Sequence, residues 1–160
     1  MTLFDFNTKS DITDWVVVDD VVMGGRSNGN FKVNIQGHGE YSGIVSLENN
    51  GGFSSLRYRF DAENVKGYSK ALLTLKGDGK SFQFRTKSTL EHRHSYICKF
   101  KTSGKWETIE INLKDMYPTF RGTTLDIPNY PAETLEQIAF LIGDKKGENF
   151  ELQIDTIVLV

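Results

Sequence analysis

A single cysteine, Cys98, stands in a chain of 160 residues, so no internal disulfide forms and the core must hold without covalent staples. Proline is nearly as scarce: Pro118, Pro128 and Pro131 are the only three. Charge of either sign is in no excess, with 19 Lys and Arg against 21 Asp and Glu giving a net charge of -2. A chain built to grip the nucleic-acid backbone carries a basic surplus, so no nucleic-acid partner is expected. No apolar run approaches the roughly 20 residues of a membrane span, and no membrane insertion is expected. The start, Met1-Thr2-Leu3-Phe4-Asp5-Phe6, has neither the basic and apolar regions of a secretory leader nor the Arg richness of a transit peptide. Together these absences predict a cytoplasmic protein.

What the chain does have is aromatics and glycine. Aromatic residues make up 12%, with 11 Phe and 6 Tyr, and there are 15 Gly. Phe and Tyr suit the half-buried surface of a pleated sheet. Runs of period-two alternation recur between Gly, Asn and Asp clusters, the pattern of short strands and tight turns. Strands are predicted at 3–6, 15–18, 31–35, 40–47, 53–60, 71–76, 81–87, 94–100, 106–112, 137–142 and 150–160. Gly77-Asp78-Gly79-Lys80 and Glu48-Asn49-Asn50-Gly51-Gly52 carry hairpin signals. Only Ala132 to Leu135, after Pro131, reads as a helical turn. Met116 to Pro131 reads as one long ordered loop, a type of segment that often carries function. No linker or repeat divides the chain, which predicts one all-β domain over 1–160, a two-sheet sandwich or jelly roll, with a closed barrel as the alternative.

Alternation also sorts side chains between core and surface. In Ser81 to Lys87, Phe82 and Phe84 point inward, leaving Gln83, Arg85 and Lys87 outside. In Ser54 to Phe60, Leu56, Tyr58 and Phe60 form the apolar row, with Arg57 and Arg59 opposite. If these strands are close, Arg57, Gln83, Arg85 and Lys87 share one polar face that can serve as a binding surface. The plainer reading is a solvated face that keeps the protein soluble.

Recognisable reaction chemistry is scarce. Met23-Gly24-Gly25-Arg26-Ser27 and Gly37-His38-Gly39 match no phosphate-loop or dinucleotide fingerprint and open no predicted helix. His92, His94 and Cys98 lie on one side of a strand, but zinc wants three or four convergent ligands and Cys98 falls in an apolar row. No nucleophile elbow is present. Asp19 and Asp20 are adjacent in an extended segment and point apart, so by themselves they make no facing acid pair. No catalytic residue, metal site or cofactor is expected.

Several blocks then read together. Asp19-Asp20-Val21-Val22-Met23-Gly24-Gly25-Arg26-Ser27 is followed by Gly51-Gly52-Phe53-Ser54-Ser55-Leu56-Arg57, then Lys76-Gly77-Asp78-Gly79, Trp106, Pro118-Thr119-Phe120-Arg121-Gly122 and Ile142-Gly143-Asp144-Lys145-Lys146-Gly147. This order and spacing resembles the complex I intermediate-associated protein 30 family over nearly the whole chain. The Asp-x-x-Met-Gly-Gly-x-Ser and Gly-Gly-Phe-x-Ser-x-Arg blocks are its specific parts. The resemblance implies a galactose-binding-domain-like jelly roll, related to carbohydrate-binding modules. It also implies a non-catalytic role of the kind played by mitochondrial members, which help assemble NADH:ubiquinone oxidoreductase. Without a transit peptide or extra N-terminal region, the chain reads as a free-standing, bacterial-type domain.

Among the motif residues, Asp20, Gly25, Ser27, Gly24 and Gly52 are expected to be structural, Met23 and Phe53 to plug the core, and Arg57 to meet Asp19 or Asp20. Trp106 is placed with them. The expected partner is a client protein subunit, possibly one of a respiratory complex, held on Arg57, Gln83, Arg85 and Lys87. Tyr117, Phe120 and Arg121 of the 116–131 segment would form its rim. The alternative is a carbohydrate, with Trp106 or Tyr117 as stacking platform and Gln83 and Arg85 as polar partners.

Overall fold

The computed structural model describes residues 1–20, 25–48, 52–143 and 147–160. Met23 and Gly24 of the motif lie outside the described residues, as do 49–51, where the sequence carries a hairpin signal, and 144–146.

Among the described residues the chain forms thirteen strands: β1 (Thr2–Asp5), β2 (Trp15–Asp19), β3 (Asn28–Val33), β4 (Gly39–Val45), β5 (Ser54–Asn64), β6 (Lys70–Lys76), β7 (Ser81–Lys87), β8 (Ser95–Lys101), β9 (Trp106–Asn112), β10 (Tyr117–Phe120), β11 (Thr123–Thr124), β12 (Thr134–Ile142) and β13 (Glu148–Leu159). They make the expected two-sheet sandwich. A six-stranded sheet runs β3-β4-β13-β6-β9, with β1 paired to β13, and a seven-stranded sheet runs β11-β10-β8-β7-β12-β5-β2. All pairings are antiparallel. No helix of the described residues is long and apolar enough to cross a membrane.

Strict alternation builds the core. In β6 and β7 every second residue is buried, because successive side chains of a strand leave opposite faces. Leu56, Phe82, Phe84, Ile138 and Phe140 of the seven-stranded sheet meet Tyr41, Leu73, Leu75, Phe150, Leu152 and Ile154 of the six-stranded sheet. Each such side chain, fully removed from water, contributes about 1.5–3 kcal/mol. At one end Phe4, Phe6, Trp15, Phe31 and Tyr58 cluster, with Trp15 stacked on Tyr58 at 4.7 Å.

Two expectations need correction. The 116–131 segment is no featureless loop: β10 pairs with β8 and folds back on β11. Pro118 fits inside β10 because that strand sits near the sheet edge, where a missing N–H costs little. Nor is there a helical turn after Pro131. Ala132 has φ 55°, outside right-handed helical space, and β12 begins at Thr134. The segment is instead anchored by Tyr130, which is 1% exposed, donates its hydroxyl to the Thr134 carbonyl at 2.8 Å, and donates its N–H to the Met116 carbonyl.

Candidate functional site

The seven-stranded sheet turns one face to the core and the other outward. Register decides what the outward face displays. Arg57 and Arg85 both pair with Ala139, so β12 lies between their strands. The row continues to Ile97 and Tyr117, each opposite the next, and begins at Val16. Arg59 and Lys87 both pair with Gln137 in the neighbouring row on the same face. Leu141 pairs with Gln83 in the row on the other side. Arg57, Gln83, Arg85, Lys87 and Tyr117 therefore do share one face.

The floor of that face is closed. Ala139 is 2% exposed, Gln137 4% and Ile97 4%, although all three point away from the core. Arg57, Arg85, Lys87 and Tyr117 are half-buried. Neutral acceptors hold the cations. Gln83 Oε1 accepts from Arg85 Nη1 at 2.8 Å, Gln137 Oε1 accepts from Arg59 Nε at 2.9 Å, and the His92 carbonyl accepts from Lys87 Nζ at 2.8 Å. Among the described residues no carboxylate oxygen lies within ion-pair distance of any of the four; the ion pairs present involve Arg26, Lys32, His38, Lys70 and Lys80.

This grouping carries an electrostatic cost. Burial, and then the Arg57 charge, push the Arg85 guanidinium down to about 10, with Tyr117 acting the other way. Arg57 is lowered by burial and by Arg59. Lys87 is lowered by burial and by Arg57, Arg59 and Arg85. The Arg57 charge thus weighs on both Arg85 and Lys87, and the Arg59 charge on both Arg57 and Lys87. Beside them His92 stacks on His94 at 4.7 Å, and His94 is lowered by burial, His92 and Lys87.

The remaining residues lie elsewhere. Alternation along β10 sends Phe120 to the side opposite Tyr117, and Arg121, with φ 49°, lies over the Phe120 ring at 5.3 Å. Trp106, 42% exposed, stands on β9 of the other sheet against His38 at 4.4 Å, so it is neither a core residue nor a platform beside Gln83 and Arg85. Phe53 is half-buried rather than a core plug. Among the described residues no three His, Cys, Asp or Glu side chains converge as metal ligands.

Arg57 does not meet Asp19 or Asp20, because both carboxylates are taken by neutral donors, those of Asp20 from loops at the end of the sandwich and those of Asp19 from β3 and β5. Asp20 is fully buried. It accepts from the Ser27 N–H at 2.8 Å, the Ser27 hydroxyl at 2.5 Å, the Gly52 N–H at 2.6 Å and the Phe53 N–H at 3.2 Å. Desolvation raises its pKa, but the donors outweigh it and hold the carboxyl below its usual value. Gly25 is required because a Cβ there would land on the Asp20 carboxylate. Asp19 accepts from the Gly29 N–H at 2.9 Å and the Ser54 hydroxyl at 2.5 Å, and the Tyr41 hydroxyl donates to Ser54 at 2.7 Å. Those four residues come alternately from the two sheets and pin them together.

Arg59, Gln137, Ala139 and Ile97 complete the polar face, and the site expected from sequence omitted them. Arg59 had the right phase on β5. Gln137 and Ala139 sit in a mostly apolar run, Gln137-Ile138-Ala139-Phe140-Leu141-Ile142, whose alternation is masked because small and apolar residues also occupy its outer side.

Comparison with known proteins places this arrangement. The model of the family described as complex I intermediate-associated protein 30 matches residues 4–154. The family 11 carbohydrate-binding module from Clostridium thermocellum, in complex with a beta-1,3-1,4-mixed-linked tetrasaccharide, matches with a TM-score of 0.73 at 15% identity, covering 99% of this chain and 94% of that one. An agarase matches with a TM-score of 0.64 at 12% identity, over 98% of this chain and 24% of its own. A CBM4 structure matches with a TM-score of 0.55 at 12% identity, over 94% and 91%. At such identities the likeness establishes the jelly-roll fold and leaves ligand chemistry to each protein's own residues.

Proposed function

This chain belongs to the complex I intermediate-associated protein 30 family, and from that premise we propose that it is a non-catalytic binding domain holding a client protein on the outward face of its seven-stranded sheet. The family's name directs attention to subunits of respiratory complex I as clients. One observation carries the reading: Arg57, Arg85 and Tyr117 fall in a single cross-strand row over a buried floor. Arg and Tyr are the side chains that most often dominate binding energy at protein interfaces, and a floor already shielded from water suits a central contact.

The test is quantitative capture from native extract by wild type and by the double variant Arg57→Glu, Arg85→Glu, with thermal melts to confirm folding. Saturable capture of a defined subunit that disappears in the folded double variant supports the reading. Equal capture by both proteins removes this face from the account and shifts attention to the 116–131 segment. A carbohydrate is the second reading, favoured by Tyr117 beside Arg85 on a carbohydrate-binding-module fold. An oligosaccharide series that perturbs Tyr117 resonances in the wild type, alongside empty capture, would replace the first reading with the second.

A further inference from the structure

Four cations gathered on one face, none within ion-pair distance of a carboxylate among the described residues, require a reason; the nearest acids, Asp14, Asp61 and Glu63, line a hollow at the Arg59 end and leave Arg57, Arg85 and Lys87 to themselves. Natural surfaces mix signs, and like charges held near one another destabilise the free protein. Here three of the four are oriented by a neutral acceptor: Arg85 by Gln83, Arg59 by Gln137 and Lys87 by the His92 carbonyl. A neutral acceptor fixes direction and leaves the charge available. A carboxylate in the same place would have cancelled it.

The spacing is more specific than the charge. Arg57 and Arg85 flank Ala139, and Arg59 and Lys87 flank Gln137. Two strand separations put the members of each pair about 9.6 Å apart at the backbone, and two residues along the strand separate the pairs by about 7 Å. Four cationic side chains thus stand at the corners of a rectangle whose middle is the outer face of β12. Ala139 leaves that middle low, since a methyl group stands between two long guanidinium side chains. A peptide laid along β12 in extended form has the same two-residue repeat of about 7 Å. Its alternate side chains would pass first between Arg57 and Arg85, then between Arg59 and Lys87. Guanidinium forks bind carboxylates through paired N–H donors, and more strongly than neutral acceptors.

We propose that this rectangle is a binding site for an acidic segment of a protein client, taken in extended conformation with Asp or Glu at alternate positions. This rests on the reading of the face as the client-binding surface, and it names the chemistry that the client must present. Arg57 and Arg85 clamp one carboxylate above Ala139. Arg59 and Lys87 take the second above Gln137, and Tyr117 closes the row beyond Arg85. The intervening residue of the client points to solvent, so its identity matters little.

The experiment is a titration of full-length protein with short fluorescent peptides, followed by anisotropy at low salt. One peptide alternates Glu with Ser, a second replaces every Glu by Gln, and a third carries the same number of Glu in one consecutive block. The alternating Glu peptide is expected to bind at least about tenfold more tightly than the Gln peptide, and to weaken steeply with added salt. Arg57→Gln with Arg85→Gln should lose that preference while the thermal melt holds. Lys87→Gln provides a second, milder variant that should weaken the alternating peptide severalfold. Equal binding of the Glu and Gln peptides, or unchanged affinity in the double variant, overturns the proposal. Equal binding of the alternating and block peptides overturns the extended register, and inorganic phosphate displacing both equally would reduce the site to a general anion cradle. Where capture of the client is lost in the Arg57→Glu, Arg85→Glu protein yet the Glu peptide does not bind, the face remains the client surface and the acidic segment is refuted. Where neither responds to these residues, both readings fall.

Discussion

Removing one carboxylate, by Asp20→Ala, should cost this fold more than removing any exposed charge. Asp20 is fully buried and receives four donors. Hydrogen bonds to a charged partner contribute about 1.5–3 kcal/mol each, but four do not simply add. The Ser27 hydroxyl has another acceptor, the Ser46 carbonyl at 3.3 Å, and the Phe53 bond at 3.2 Å is the longest of the set. The N–H groups of Ser27 and Gly52 are the real losers. Stranding two buried donors at about 2 kcal/mol each gives about 4 kcal/mol, in line with about 3–5 kcal/mol for breaking other buried charged networks. For a chain of this length that is a fall of roughly 8–16 °C in melting temperature. Urea melts followed by far-UV circular dichroism would show the midpoint drop with the slope unchanged. A loss below about 1 kcal/mol would refute the reasoning, since it would mean that the donors find equivalent partners without the carboxylate. The pH dependence supplies an independent check. The folded-state pKa of Asp20 lies below its usual value, so the folded state binds its proton less readily than the unfolded chain. Its contribution is complete above the unfolded carboxyl value of about 3.9 and disappears as pH falls through the lower folded value. Asp20→Asn should flatten that acid limb.

Other outcomes follow from the same geometry. Gly25→Ala should destabilise by about 1–3 kcal/mol, because its Cβ meets the Asp20 carboxylate, which would have to leave its donors to make way; a neutral result in a thermal melt would show that the loop yields. Raising salt should stabilise wild type by screening Arg57, Arg59, Arg85 and Lys87 from one another, and Arg57→Gln with Arg85→Gln should gain distinctly less; equal gains would deny the mutual repulsion. Phe84→Ala should cost about 3–5 kcal/mol, because the ring is wholly buried against Phe140 at 5.6 Å; chemical denaturation measures it. Trp106→Ala should change stability by less than about 0.5 kcal/mol, consistent with its exposed place on the other sheet, and should leave client capture intact.

Much of the fold was readable along the chain because strand structure is written locally. Ser81 to Lys87 and Trp106 to Asn112 have the boundaries that alternation predicts, and the outward phase of Gln83, Arg85 and Lys87 follows from counting by twos. The 116–131 segment was harder. β10 and β11 are short, β10 contains Pro118, and the pair is carried by the docking of β10 on β8 more than by its own residues. The helical turn expected after Pro131 failed for a related reason: a local proline signal was overruled by the anchoring of Tyr130 and the left-handed φ of Ala132.

The sequence by itself determined that the protein is all-β, which side chains leave the core, and that a polar face containing Arg57 and Arg85 is available. Those are properties of a two-residue period, and the period needs no knowledge of neighbours. Only the tertiary structure decided that β12 separates β5 from β7, that Ala139 and Gln137 form the floor between the cations, and that Trp106 and Phe120 point elsewhere. It also decided that Asp20 gathers Ser27, Gly52 and Phe53 rather than Arg57. Each of these depends on strands or loops far apart in sequence being brought together. Within a hairpin the turn sets the register, but which sequence-distant strands lie side by side, as β12 does between β5 and β7, is settled by the packing of the whole sandwich.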